Sequence, residues 1–192
     1  MSNVHTLSSS MSRTRENSGR WPDSEFKRVF LEHYTRIVGV LLRLLGDPMR
    51  AEEVANDAFW RLYQQSPITE GADKVAGWLY RTATNLGIDV LRASARRVRY
   101  EQTSSDELQN AAVSVGPLDA LLVEEKRARV RAVLASIRPA QAQLLILRAS
   151  GLSYKEVAEA LDMKPSGIGT MLNRAEAEFR ERYVQMHGTE EE

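Results

Sequence analysis

The chain has 192 residues, 43% of them hydrophobic, with 26 basic and 26 acidic side chains. That length suffices for one large domain or two small ones with modest cores, and zero net charge means that any nucleic-acid surface must come from local segregation of charge. The absence of cysteine excludes disulfides, thiol catalysis and cysteine-ligated zinc. His5, His33 and His187 lie too far apart in sequence for metal-ligand spacing, so neither a metal nor another cofactor is expected. No apolar run approaches the roughly 20 residues of a membrane span, and the N-terminus lacks the apolar core of a secretory signal. A cytoplasmic protein without membrane insertion is the expectation.

In chain order, residues 1–22 are rich in Ser, Arg and Asn without apolar periodicity, as expected of a disordered lead-in. From Ser24 the pattern turns helical: Phe26, Val29, Phe30, Tyr34, Ile37, Val38, Leu41, Leu42 and Leu45 recur at three- and four-residue steps. Gly46-Asp47-Pro48 ends that helix and opens a second, with Ala51, Val54, Ala55, Ala58, Phe59, Leu62 and Tyr63 inward. A loop of turn formers over 66–73 precedes a third helix, from about Lys74 to Arg99, with Val75, Trp78, Leu79, Thr82, Ala83, Leu86, Val90 and Leu91 inward. Gly87 inside it costs about 1 kcal/mol relative to alanine, which leaves room for a local irregularity.

Periodicity lapses over 102–116, which gather Ser, Asp, Gln, Asn and Gly and read as a linker. Helical signal resumes at Pro117, runs to Ile137, and starts again at Pro139. Ser153 with Glu156 makes a capping box. Val157, Ala158 and Leu161 share one face of the helix that follows. Asp162 to Lys164 form a break, Pro165 suits a first helical turn, and Ile168, Met171 and Leu172 line one side of the next helix. Two short helices around a tight turn describe a helix-turn-helix, whose second helix usually enters the DNA major groove. The same pattern also fits an ordinary corner between two helices. The expected organisation is all-α: a domain over 23–101, a linker over 102–116, a second domain over 117–186 and an acidic tail over 187–192, joined flexibly.

Charge is segregated within this frame. Arg81, Arg92, Arg96, Arg97 and Arg99 face a single acid, Asp89, with Trp78, Tyr80, Tyr100, Thr82, Thr84 and Asn85 among them. Arginines for phosphates, rings for stacking and amides for base edges suit single-stranded or melted DNA. A solvated charged face, with Trp78 in the core, is the plainer alternative. The second helix carries Glu52, Glu53 and Asp57 with no cation between Arg50 and Arg61. Glu53 and Asp57, four residues apart, share a face, and with no histidine or third acid to join that pair, a docking face for a basic partner, with Phe59, Trp60 and Leu62 as apolar anchors, fits better than catalysis. No enzymatic activity is expected.

The segments Leu44-Leu45-Gly46-Asp47 and Ala51-Glu52-Glu53-Val54-Ala55-Asn56-Asp57-Ala58-Phe59-Trp60-Arg61-Leu62 resemble the polymerase-binding part of region 2 of bacterial sigma factors. Gly77 to Arg92 resembles the part that melts and reads the −10 element, and Ile137 to Ala175 resembles region 4, which reads the −35 element. With regions 2 and 4 only and a short linker, the chain is most similar to the extracytoplasmic-function group. The resemblance implies that Glu53, Val54, Asp57, Phe59 and Leu62 dock on the clamp helices of the polymerase β′ subunit. It implies that Trp78, Arg81, Asn85, Asp89, Arg92 and Arg96 open and read the −10 element. It places Lys164, Ser166, Gly169, Thr170, Asn173 and Arg174 at the −35 element, with region 4 on the β flap and an anti-sigma factor as a further partner.

One departure stands out. Where the family's recognition helix commonly carries cations, this chain has Gly169, Met171 and Glu176, and Glu178 follows. At about 1–3 kcal/mol for each good base pairing, weak −35 binding is expected. A stand-alone helix-turn-helix regulator acting without polymerase is the alternative function. It leaves the acidic face and the Trp78–Arg99 segment without a role.

Overall fold

Gly46 takes φ +73°, a backbone conformation that favours glycine, and its N–H donates to the Leu42 carbonyl at 2.8 Å, closing one helix. Asp47 then accepts from the N–H groups of Met49 (2.9 Å) and Arg50 (3.2 Å), while Pro48 occupies the first turn of the next helix. A computed structural model describes residues 21–65, 71–104 and 118–188. Secondary structure among these residues is all helical: α1 (Asp23–Leu45), α2 (Pro48–Gln64), α3 (Ala72–Ser104), α4 (Leu118–Ser136), α5 (Pro139–Ala149), α6 (Tyr154–Leu161) and α7 (Pro165–His187).

Helices α1 to α3 pack on one another around Ile37, Leu41, Leu44, Phe59, Leu62, Leu79 and Ile88, all essentially inaccessible. A ring cluster of Phe26, Phe30, Tyr34, Phe59 and Tyr63 closes one end, with Phe30 and Phe59 edge-to-face at 5.0 Å. Gly87 marks a close approach, not an irregularity: α3 stays helical through it. A Cβ there would stand 2.7 Å from Leu44 Cδ2 and 2.8 Å from Leu41 Cδ2. Helices α4 to α7 gather around Val133, Ile137, Leu144, Leu147, Leu152, Val157 and Ile168. Their apolar core is continuous with that of α1 to α3, because α3 also packs against α4, α5 and α6.

Several expectations change. Trp21, assigned to the disordered lead-in, is buried, and its backbone N–H donates to the Tyr63 carbonyl at 3.5 Å. Residues 1–20 lie outside the described residues, as do 105–117 of the expected linker, 66–70 of the expected loop and 189–192 of the expected tail. Helix α3 starts at Ala72 and runs to Ser104, beyond the Lys74–Arg99 span read from periodicity. Leu42 is exposed, whereas Val40 and Leu44 are buried, because α1 is covered from two sides, by α2 and α3. The two helical units, expected to be joined by a flexible linker, also touch one another through α3.

His33 is also buried, with no hydrogen-bond partner at Nδ1. Desolvation lowers its pKa from 6.5, opposed by Glu32 and assisted by Arg36. The unfolded chain therefore binds more protons than the folded one as pH drops below 6.5, and stability falls with pH there. The carboxyls of Glu156, held low by the Ser153 backbone N–H, and Glu178, held low by the Gln141 amide, contribute only below their ordinary 4.5. Urea midpoints are expected to fall between about pH 6.5 and 5 in the natural chain and to stay level in His33→Leu. A slope that survives the substitution would exclude His33 as its source.

Candidate nucleic-acid interface

At 100° per residue, Met49, Glu53, Asp57 and Trp60 occupy an arc of about 80° on α2. All four are exposed, Met49 at 82% and Trp60 at 56%. The opposite side of the helix holds Ala51, Val54, Ala55, Ala58, Phe59 and Leu62. Val54, Phe59 and Leu62, expected to touch the polymerase, are 5%, 2% and 0% exposed and belong to the core. Their spacing is that of the α2 stripe buried under α1 and α3, so no partner reaches them on this surface. The apolar groups accessible beside Glu53 and Asp57 are Met49 and Trp60, the latter stacked on Tyr63 at 5.8 Å.

On α3, Trp78, Arg81, Asn85, Asp89, Arg92 and Arg96 likewise fall within an arc of about 80°. The helix brings the six expected −10 residues onto one side. Asn85, Asp89 and Arg96 are exposed; Trp78, Arg81 and Arg92 are half-buried. Arg81 Nε donates to the Ala160 carbonyl at 2.7 Å, and Arg92 Nη2 donates to the Ile137 carbonyl at 2.5 Å. Tyr80, read as an aromatic of this surface, is 2% exposed, under the Arg36 guanidinium at 5.9 Å. Tyr100, at 74%, is the accessible ring of the basic segment.

The turn between α6 and α7 is built as expected. Ser153 Oγ accepts from the Glu156 N–H at 3.2 Å, and the Glu156 carboxylate accepts from the Ser153 N–H at 2.7 Å. Asp162 leaves α6 at φ +55°, the Met163 N–H returns to the Ala158 carbonyl at 2.9 Å, and Pro165 starts α7. Lys164, Ser166, Thr170, Asn173 and Arg174 are exposed, and Gly169 sits among them, half-buried beside the Tyr154 ring. Met171 packs against the core with Leu172, so it stands on the inner flank of α7. Glu178 faces α5, where it accepts from Gln141 Nε2 (2.5 Å) and Arg138 Nη2 (3.0 Å). Its acid thus ties α7 to α5 and does not oppose DNA on the outer side.

Residues outside the sequence-derived set join the units. Gln143, buried in α5, donates to the Arg81 carbonyl and to Thr84 Oγ1. Arg36, Asp73 and Lys74 pair with Glu156, Lys155 and Glu159. The only sequence signal for these was a pair of glutamines, Gln141 and Gln143, on an otherwise apolar segment.

Two family models match the chain: Sigma-70 region 2 over residues 29–97 and Sigma-70, region 4 over residues 127–179, together well over half of it. The ECF RNA polymerase sigma factor SigE of Mycolicibacterium smegmatis is 27% identical over 160 residues, covering 83% of this chain and 61% of that protein. The RNA polymerase sigma-H factor of Pseudomonas aeruginosa is 28% identical over 156 residues, covering 78% of this chain and 79% of the relative. Among solved structures, the sigma factor RpoE of Bartonella quintana, in complex with the anti-sigma factor NepR, aligns at 19% identity with a TM-score of 0.49, over 85% of this chain and 99% of that one. The chain spans 61% of the length of the SigE relative, and no described helix is long and apolar enough to cross a membrane. Two matched regions in the order that the helices present them make this chain a member of the sigma-70 family, in its extracytoplasmic-function group.

Proposed function

We propose that the chain is a promoter-specificity subunit that binds core RNA polymerase and directs promoter recognition, melting and transcription initiation. The observation that carries this reading is the succession of three surfaces in one chain. An acidic and apolar stripe on α2 is followed by an arginine, amide and aromatic stripe on α3, and then by a helix-turn-helix with an exposed polar turn. In this reading Glu53, Asp57, Met49 and Trp60 meet the β′ clamp helices, where the exposed acids select a basic partner and Met49 and Trp60 supply apolar contact area. Asn85, Asp89, Arg92 and Arg96, with Trp78 and Arg81, engage the opened −10 strand: guanidinium groups hold phosphates and amide and ring groups hold an unstacked base. Ser166, Gly169, Thr170, Asn173, Lys164 and Arg174 face the −35 duplex. The polymerase makes and breaks the bonds. An anti-sigma factor would act on such a chain by covering the same surfaces. A stand-alone regulator would have no use for the α2 stripe.

The test is a direct titration of labelled chain with core polymerase. Glu53→Lys with Asp57→Lys is expected to weaken binding by about tenfold or more with helical content unchanged, since exposed charges contribute little to folding. Unchanged affinity would remove α2 from the docking surface.

A further inference from the structure

Helices α1, α3, α4 and α7 border a groove that no surface described above uses. Its walls are mostly apolar: Leu45 at the end of α1, Val90, Leu91 and Val98 on α3, Ala132 on α4 and Met186 near the end of α7. Val98 is 48% and Met186 43% exposed, large apolar side chains that the fold leaves uncovered there. The cavity measures about 660 Å³, within the roughly 300–1,000 Å³ of sites that take small organic molecules. At 100° per residue, Leu91, Ser94, Ala95 and Val98 share an arc of about 100° on α3, centred roughly 130° round the helix from the −10 stripe. None of the residues lining the groove is one assigned to polymerase or DNA.

Charge at the mouth is one-sided. Arg50, Arg99 and Arg131 line the groove, against Asp47 as the acid among the lining residues. Arg131 reaches across from α4 into the notch left by Gly46: a Cβ there would stand 2.5 Å from Arg131 Nη1 and 2.8 Å from its Cζ. Its side chain is 18% exposed, and Nη2 donates to the Glu124 carboxylate at 2.6 Å. The guanidinium is thus held in place before any ligand arrives. Arg50 Nε lies 3.7 Å from Asp47 Oδ2. A guanidinium carries more N–H donors than these contacts occupy.

We propose that this groove binds a single-chain amphiphile with a carboxylate head, the class of the free fatty acids. The alkyl chain lies along the Leu91–Val98 side of α3, and the head sits on Arg131 and Arg50. A planar guanidinium fork matches a carboxylate at two points. Asp47 and Glu124, at the same mouth, favour a singly charged head over a doubly charged phosphate, because each added negative charge meets their repulsion. The chain removes from water the apolar side chains that the helices leave uncovered. The assignment stands apart from the promoter reading, since it uses none of the same residues.

Calorimetric titration of the full chain with sodium octanoate, decanoate and dodecanoate, each below its micelle-forming concentration, is expected to show one saturable site. Affinity should rise about fourfold for each added methylene, as burial of a CH₂ predicts. Decyltrimethylammonium, a similar chain with the opposite charge, should bind at least tenfold more weakly than decanoate. Arg131→Met keeps an unbranched stem, removes the fork, and is expected to weaken decanoate binding by about tenfold or more. Ala128→Phe, at an exposed position on the α4 wall, fills the groove and should abolish the site with helical content and urea midpoint little changed. A flat dependence on chain length, equal affinity for the ammonium, or an Ala128→Phe chain that binds like the natural one each overturns the assignment. Absence of binding to the natural chain overturns it too, and two measurements then identify what covers the groove instead. If Glu190→Gln, Glu191→Gln and Glu192→Gln together restore dodecanoate binding, the chain's own acidic segment beyond Met186 is the occupant. If the natural chain sediments as a dimer that Ala128→Phe dissociates, a second copy is.

Discussion

Phe59→Ala is expected to lower the stability of the chain by about 3–5 kcal/mol, the range for emptying a buried aromatic site. Trp60→Ala, one residue along, is expected to change it by less than about 1 kcal/mol. Phe59 is 2% exposed and meets Phe26, Phe30 and Tyr34, so its removal leaves a cavity that three rings on α1 cannot readily fill. Trp60 is 56% exposed and loses mainly its stack on Tyr63. The order reverses for polymerase binding measured under conditions where both variants stay folded. There Trp60→Ala is expected to cost about tenfold or more, as accessible aromatic anchors do, and Phe59→Ala little. Urea unfolding and a titration with core polymerase on the same preparations decide it. A Phe59 variant that remains stable but no longer binds would return that ring to the docking surface.

The contrast between these neighbours shows where legibility in the sequence ends. The helices themselves were legible because their signals are local: Gly46-Asp47-Pro48, the Ser153–Glu156 box and Pro165 all act within a turn of their own position. The α3 stripe was legible too, since a single helix period fixes which of its residues share a side. What periodicity does not fix is which side is covered. The family pattern marks Val54, Phe59 and Leu62 together with Glu53 and Asp57, yet the fold separates them into core and surface. Helix α1 has a wider buried arc than a one-sided stripe predicts, and so Leu44 is covered while Leu42 is not. The contact between the units was illegible for a simple reason. Arg81 meets residues 78 and 79 positions away, and charges such as Lys155 and Asp73 read as solvated until the two helices are placed side by side.

The recognition helix gives the last expectation. Wild-type chain should bind upstream promoter duplex weakly, with a slope of log affinity on log salt near 2, because Lys164 and Arg174 are the cations flanking the exposed turn and each phosphate contact adds about 0.9. Gly169→Lys is expected to raise affinity about tenfold and to steepen the slope by about 0.9. The site admits a side chain: a Cβ at Gly169 would lie 3.8 Å from Tyr154 Cε2, an ordinary contact, and replacing glycine inside a helix adds roughly 0.5–1 kcal/mol of helix stability. Met171→Lys should do neither. Its side chain lies on the inner flank with Ile168 and Leu172, so a lysine there forfeits packing or bends its stem outward, at about 1–3 kcal/mol of stability. Anisotropy titrations of full-length chain on duplex from a promoter that the holoenzyme selects, between about 50 and 200 mM salt, separate the two. If Met171→Lys steepens the slope and Gly169→Lys does not, α7 enters the groove rotated from the face assigned to it. If wild-type binding is already tight and steep, the depleted turn is not what sets −35 affinity, and cations farther along α7, such as Arg180, must reach the backbone instead.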